Sequence, residues 1–298
     1  MLIVACPGQG SQTPGFLSPW LEAFPTLELT LKELSEACGA DLVYLGTSAE
    51  EEEIKDTANA QRLIVGSSLA IFRTALADRK IDGVLGHSVG EFAAAAIAGV
   101  ISDAEAMQLV ASRADAMAEA AAKAPTSMAA ILGGDSAGVM KSISELGLEA
   151  ANYNGPGQVV AAGAKDAIAS LVSSPPEKAR VIELKVAGAF HTSYMESAKA
   201  PVEELATAMT ASDPGVRLWS NADGSEVRDG QGFLRSLVSQ ISNPVRWDLC
   251  MDALGGLDAT VVELPPAGAL AGLVKRGVAD ATAIALKSPA DLDKVSNS

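Results

Sequence analysis

Basic residues, aromatics and histidine are all scarce in this chain. Lysine plus arginine number 22 against 37 aspartates and glutamates, a formal net charge of −15. Such a surface repels phosphate backbones and anionic bilayers, so nucleic-acid binding and charge-driven membrane binding are excluded as general functions. An acidic partner would have to be met by a local basic patch. Aromatics make up 4% of the residues, so the core must be assembled from Ala, Val, Leu and Ile. The three cysteines, Cys6, Cys38 and Cys250, are odd in number and far apart. Neither a disulfide framework nor a zinc site follows, and buried reduced thiols in a cytoplasmic protein are expected. Long apolar runs are missing too. The longest, Phe92 to Ile101, has Glu91 and Asp103 just outside it and is far too short to cross a bilayer.

What is present is a globular composition, 48% hydrophobic and 20% charged, over 298 residues. That length suits one large α/β domain, or one such domain carrying an insertion. Leu2 to Cys6 reads as a first buried strand rather than a leader, since no basic segment precedes it. Helical patterns follow at Trp20 to Cys38, closed by Gly39, and at Asn59 to Leu76, with a solvated acidic helix start at Glu50 to Glu53. Ile81 to Leu85 is a short strand. Ser102 caps an alanine-rich helix that runs to about Lys123 and ends before Pro125.

Residues 126 to 188 change character. Strands at Met128 to Leu132, Leu148 to Tyr153, Gln158 to Ala162 and Arg180 to Val186 alternate with helices at Ser136 to Leu146 and Lys165 to Ser173. The order β-α-β-β-α-β is that of a ferredoxin-like unit. The expected fold is therefore α/β. A larger α/β-hydrolase-like domain with a parallel sheet is built from 1–125 and 189–298, and 126–188 is an inserted ferredoxin-like subdomain. Beyond the insertion, helices are expected at Ser193 to Met209, Gly230 to Ser242, Asp248 to Leu254 and up to Arg276. Strands are expected at Arg217 to Ser220, with Asn221 at its end, and at Ala259 to Leu264, the last clear one. The polar tail after about Ser288 is expected to fray.

Chemistry concentrates in Gly86-His87-Ser88-Val89-Gly90, which lies between the Ile81 strand and the helix-forming Glu91 to Ala98. Strand, G-x-S-x-G, helix is the setting of a nucleophile elbow. The glycines let strand and helix approach, and the first helical N–H groups lie ready for a developing oxyanion. A serine nucleophile needs a base. His87 adjoins Ser88, so its side chain should point away, which leaves His191 as the histidine candidate. An α/β-hydrolase would carry its histidine near the C-terminus, after the acid. Here more than a third of the chain follows His191. Arg113 has two readings at this point: a surface arginine paired with Asp115 or Glu119, or a clamp for a substrate carboxylate. The loop Pro7 to Gln12 is either an ordinary strand-end turn or a source of N–H groups for a ligand.

Seven stretches, in order, resemble the malonyl-CoA:acyl carrier protein transacylase family. They are Pro7-Gly8-Gln9-Gly10-Ser11-Gln12, Gly86 to Glu91, Arg113 with Met117, Asn154-Gly155-Pro156-Gly157-Gln158-Val159-Val160, Gly188-Ala189-Phe190-His191, Gln240 to Trp247, and Glu263 to Gly268. The resemblance implies acyl transfer in two half-reactions, with Ser88 as nucleophile and His191 as base. It implies an oxyanion hole from the N–H groups of Gln9 and Val89, and Arg113 on the malonyl carboxylate. It places Gln61, Asn154 and Phe190 around the substrate, Phe190 with malonyl rather than methylmalonyl selection, and the Gln240 carbonyl on the histidine. No triad acid, cofactor or metal is then needed. Malonyl-CoA and acyl carrier protein are the implied partners, and a cytoplasmic monomer is the family expectation.

Two departures stand out: Gln61-Arg62 where the family commonly has Gln-Pro, and Pro265-Pro266-Ala267-Gly268 where it has Gly-Pro-Gly. The same motifs would serve an acyltransferase of polyketide synthesis, and a thioesterase-like hydrolase is disfavoured by Arg113. A docking rim for an acidic carrier would draw on Lys178, Arg180, Lys185, Lys275 and Arg276, unless these are scattered solubilising charge.

Overall fold

The computed structural model describes residues 1–296. In chain order, β1 (Leu2–Cys6) leads to α1 (Ser18–Ala23), α2 (Leu27–Cys38), α3 (Leu42–Thr47), α4 (Glu51–Lys55) and α5 (Thr57–Ala75). Then come β2 (Gly83–Gly86), α6 (Gly90–Ile97) and α7 (Asp103–Ala122). The next six elements are β3 (Thr126–Gly133), α8 (Ser136–Glu145), β4 (Glu149–Tyr153), β5 (Gln158–Ala164), α9 (Lys165–Ser173) and β6 (Ala179–Glu183). They are followed by α10 (Lys199–Ala208), β7 (Arg217–Trp219), α11 (Gly230–Ser239), β8 (Val245–Arg246) and α12 (Trp247–Leu254). The chain closes with β9 (Thr260–Glu263), α13 (Ala269–Gly277), β10 (Thr282–Ala285) and α14 (Leu292–Ser296).

Two sheets result. The first has the order β10-β9-β1-β2-β7, every neighbouring pair parallel. β1 and β2 are its centre, and their residues are almost wholly buried, as expected for strands covered on both faces. The second sheet has the order β6-β3-β5-β4-β8. Its first four strands pair antiparallel in the ferredoxin-like arrangement, while β8 adds parallel to β4 through Asn152–Val245 and Tyr153–Arg246. The predicted α/β architecture, a parallel core with a second sheet, is what is observed.

Four local expectations are corrected. The helix read over Trp20 to Cys38 is two helices, because Pro25 cannot continue α1. The helix read from Ser193 starts as a 3-10 turn over Ser193–Ala198. β10 escaped notice because Thr-Ala-Ile-Ala is short and weakly strand-forming, yet it completes the sheet edge beside β9. The tail is ordered through α14, with Val295 buried against the core; its last two residues lie outside the described ones.

Candidate active site

The turn from β2 into α6 leaves no room for side chains at either end. A Cβ on Gly86 would sit 2.2 Å from the Gly90 carbonyl carbon, and one on Gly90 would sit 2.2 Å from the Cys6 carbonyl oxygen. Only glycine fits either place. Ser88 at the apex has φ +53°, a left-handed conformation that costs a serine energy and needs bracing. Asn221, just past β7, supplies part of that brace. Its Oδ1 accepts the Ser88 N–H at 2.8 Å and its Nδ2 donates to the Gly86 carbonyl at 2.7 Å.

Facing Ser88 is His191, itself at φ +62°. Its turn is held from both sides: Thr192 Oγ1 donates to the Ala189 carbonyl at 2.6 Å, and the Ala189 N–H donates to Thr126 Oγ1 at 3.0 Å. His191 Nε2 lies 2.7 Å from Ser88 Oγ, and Nδ1 lies 2.8 Å from the Gln240 carbonyl oxygen. A carbonyl can only accept, so Nδ1 carries the proton and Nε2 offers its lone pair to the serine. Burial first, and then the Arg113 cation, push the His191 pKa down to about 3. The ring is neutral at physiological pH, as a proton acceptor must be.

Arg113, in the middle of α7, is 1% exposed. The surface reading of this residue fails: Asp115 is instead paired with Arg62 at 2.7 Å. Arg62 also donates to the Ala58 carbonyl within α5 and to the Cys38 carbonyl, tying α5 to the end of α2 where the family resemblance would place a proline. Arg113 Nη1 donates to Gln61 Oε1 at 2.5 Å. Its Nη2 donates to Gln240 Oε1 at 2.9 Å and reaches Ser88 Oγ at 3.3 Å. The guanidinium carbon stands 5.6 Å from the centre of the Phe92 ring. Burial lowers the Arg113 pKa to about 9 against the opposing pull of Glu91, so the cation persists at neutral pH. Its Nε has no hydrogen-bond partner among the described residues.

These groups open into a cleft of about 430 Å³ between the two sheets. Gln9, Gln61, Val89, Asn154 and Phe190 all line it with Ser88, His191 and Arg113, while Gln240 stands behind Arg113 and His191. The N–H groups of Gln9 and Val89 make no hydrogen bond among the described residues, and so are available to an oxyanion. His87 also lines the cleft, but its Nε2 pairs with Asn154 Oδ1 at 2.9 Å and its ring leans on Trp247, as its turning away from Ser88 requires. Of the basic rim, Arg276 lines the mouth and Lys185 sits between the lining residues Leu184 and Val186. Lys178, Arg180 and Lys275 are exposed and do not line it. No cluster of three or more possible metal ligands occurs among the described residues.

Three participants went unrecognised in the sequence. Asn221 was visible only as the residue ending a strand. Glu91 was visible as a lone acid opening an apolar helix; it is 1% exposed and accepts the Asn221 N–H at 2.7 Å. Burial raises its pKa to about 7, against the Asn221 and Gln240 donors and Arg113. Asn152, also lining the cleft, keeps an Oδ1 without a partner among the described residues.

An elbow serine bonded to a neutral, carbonyl-held histidine, with free N–H groups alongside, defines the class of enzymes that work through an acyl-serine. The buried Arg113 cation stands beside that serine. Comparison with known proteins is specific. Residues 4–290 match the family model described as acyl transferase domain, and the chain belongs to that family. It is 46% identical to a malonyl CoA-acyl carrier protein transacylase of Mycobacterium bovis, with all of both chains covered. It is 33% identical to that of Escherichia coli K12, over 95% of this chain and 94% of the relative. Among solved structures, MCAT from Mycobacterium tuberculosis superposes with a TM-score of 0.93 at 46% identity, covering all of both chains. A malonyl-transacylase in complex with a type II polyketide acyl-carrier protein superposes at 0.92 and 29% identity, covering 100% of this chain and 99% of the other.

Proposed function

We propose that this acyltransferase moves malonyl from malonyl-CoA to the phosphopantetheine thiol of an acyl carrier protein, supplying extender units for fatty-acid synthesis. In the first half-reaction Ser88 Oγ attacks the thioester carbonyl and its proton passes to His191 Nε2. The Gln9 and Val89 N–H groups receive the oxyanion. Collapse breaks the C–S bond, and the departing CoA thiolate takes the proton from His191. The carrier thiol then repeats these steps on malonyl-Ser88, which frees the serine. The sequence of steps uses no cofactor.

The observation that carries the malonyl assignment is Arg113, buried, with Nη2 3.3 Å from Ser88 Oγ. A carboxylate two carbons from the reacting carbonyl would meet it bidentately, whereas an acetyl group would leave the cation unpaired. Gln61 positions the guanidinium, Asn154 and Phe190 shape the acyl end of the cleft, and Phe190 excludes a methyl branch. The division at 126–188 belongs to the same reading, since strands β3 to β6 all come from that stretch and the cleft lies between it and the remainder. The three cysteines are free and buried, which fits a reducing, cytoplasmic setting.

The test is incubation with radiolabelled malonyl-CoA and a purified holo carrier protein. Label should appear first on Ser88 and then on the carrier. Label on free malonate alone would make the protein a hydrolase. A second reading, service to a polyketide carrier, is favoured by the likeness to the polyketide malonyl-transacylase. Parallel assays with a fatty-acid and a polyketide carrier protein separate the two.

A further inference from the structure

Glu91 is the one charged side chain on α6, and it lies beneath the elbow rather than in the cleft. Its carboxylate accepts two N–H groups, from the Asn221 backbone at 2.7 Å and from Gln240 Nε2. The second contact has a geometric consequence. Gln240 Nε2 stands between Glu91 and the Ser88 carbonyl, 3.0 Å away, and an ionised carboxylate and a carbonyl can only accept. Gln240 Oε1 faces Arg113 Nη2, which can only donate. A flipped amide would set oxygen against two acceptors and nitrogen against a donor. Glu91, the Ser88 carbonyl and Arg113 thus agree on which way the Gln240 amide points, and Glu91 is the one side chain among them that anchors it from outside the cleft.

We propose that Glu91 is a positioning residue for acyl-group selection: acting through the Gln240 amide, it holds Arg113 over Ser88 and so sets the preference for a carboxylated acyl group. This rests on Arg113 receiving the malonyl carboxylate. Glu91→Gln is the direct probe, because an amide of the same shape cannot accept both N–H groups without presenting its own NH₂ to one of the two donors.

The experiment measures serine acylation of the full chain by malonyl-CoA and by acetyl-CoA, together with the rate at which a fluorophosphonate labels Ser88. The fluorophosphonate needs the serine and histidine but makes no use of Arg113. Glu91→Gln is expected to lower the malonyl-to-acetyl ratio at least tenfold, chiefly through a raised KM for malonyl-CoA, with fluorophosphonate labelling within about threefold of the parent. In a Gln240→Ala background the same change should have little further effect on the ratio, since the intermediary is gone. Equal losses in all three rates, or effects of the two substitutions that fully add, would overturn the proposal. Should Glu91→Gln fail to fold, Glu91→Asp draws the carboxylate back by one methylene and must still lower the ratio; an unchanged ratio in that variant overturns the proposal as well. A parent protein with no malonyl preference would instead defeat the underlying assignment of Arg113, a result visible before any variant is made.

Discussion

Two helices begin at the edge of the same cleft, and they treat their first N–H groups in opposite ways. α13 follows β9, whose last residue, Glu263, is fully buried and turns its carboxylate back onto the helix start. It accepts the N–H groups of Gly268 at 2.8 Å, Leu270 at 3.0 Å and Ala271 at 2.9 Å. α6 follows β2 with no side-chain cap, and the Val89 N–H is left without a partner among the described residues. Both helices present the positive end of their dipole toward the cleft. One end is neutralised from within the protein, whereas the other is kept for something that arrives. Each start also has a buried glutamate at hand. Glu263 answers to backbone and closes a helix; Glu91 answers partly to a side chain and so is wired to the reacting groups.

The comparison is broken most severely by Ser88→Ala. Malonyl labelling of the protein should vanish and transfer should fall by about 10³-fold or more, while thermal unfolding is little changed. A surviving covalent label would move the nucleophile elsewhere. Next in size, Arg113→Ala should lower malonyl transfer roughly 10²- to 10⁴-fold, matching the cost of about 3–5 kcal/mol for stripping a partner from a buried ion pair, and should raise acetyl transfer relative to malonyl. Unchanged selectivity in steady-state assays with both thioesters would remove Arg113 from its role.

Glu263→Gln tests the closed helix. Loss of charge-assisted bonds to three N–H groups should destabilise the fold by about 2–3 kcal/mol in denaturant unfolding, with the malonyl-to-acetyl ratio untouched. A shifted ratio would mean that the two helix starts are not separate devices.

A smaller effect concerns pH. Because His191 is held far below the usual histidine range, its neutral form persists as pH falls through 6.5. Fluorophosphonate labelling of Ser88 should therefore stay nearly level from pH 8 to pH 5.5. An ordinary histidine base would lose about tenfold across that range. In Arg113→Ala the acid limb should move up toward 6.5, since the cation contributes to the depression. The smallest effect belongs to the cleft mouth. Charge reversal at Lys185 or Arg276 should raise KM for carrier protein severalfold and leave KM for malonyl-CoA unchanged. Equal effects on both substrates would make these charges bystanders.

The elbow was legible in the sequence because its requirements are local. Gly86 is demanded by the Gly90 backbone four residues on, and strand and helix flank the pair directly, although Gly90 itself answers to the distant Cys6 carbonyl of β1. The pairing with His191 was legible through scarcity, there being only one other histidine. Arg113 was ambiguous from α7 alone, because alanines surround it on a helix that is buried on more than one side. Only the neighbouring α5 and α6, distant in sequence, decide that it faces inward. Gln240 was reached through family resemblance, which assigned its carbonyl; the amide contacts to Arg113 and Glu91 depend on three elements meeting and left no trace in the chain. Glu91 and Asn221 were hidden for the same reason. In the fold, Pro25 announced the break between α1 and α2 and was passed over, whereas β10 had too few strand-forming residues to announce itself.

Gln240 carries a consequence for how this site can change over time. One residue receives the His191 proton on its backbone, receives Arg113 on its side chain, and donates to both Ser88 and Glu91. No other side chain reproduces an acceptor and a donor at those separations on a stem of that length. A side-chain change there is felt by Arg113, Ser88 and Glu91 at once, whereas the carbonyl that His191 uses survives any substitution. Gln240, Arg113 and Glu91 should drift only as a block, and a lineage that abandons the arginine for a neutral acyl group has reason to release the glutamine and the glutamate with it.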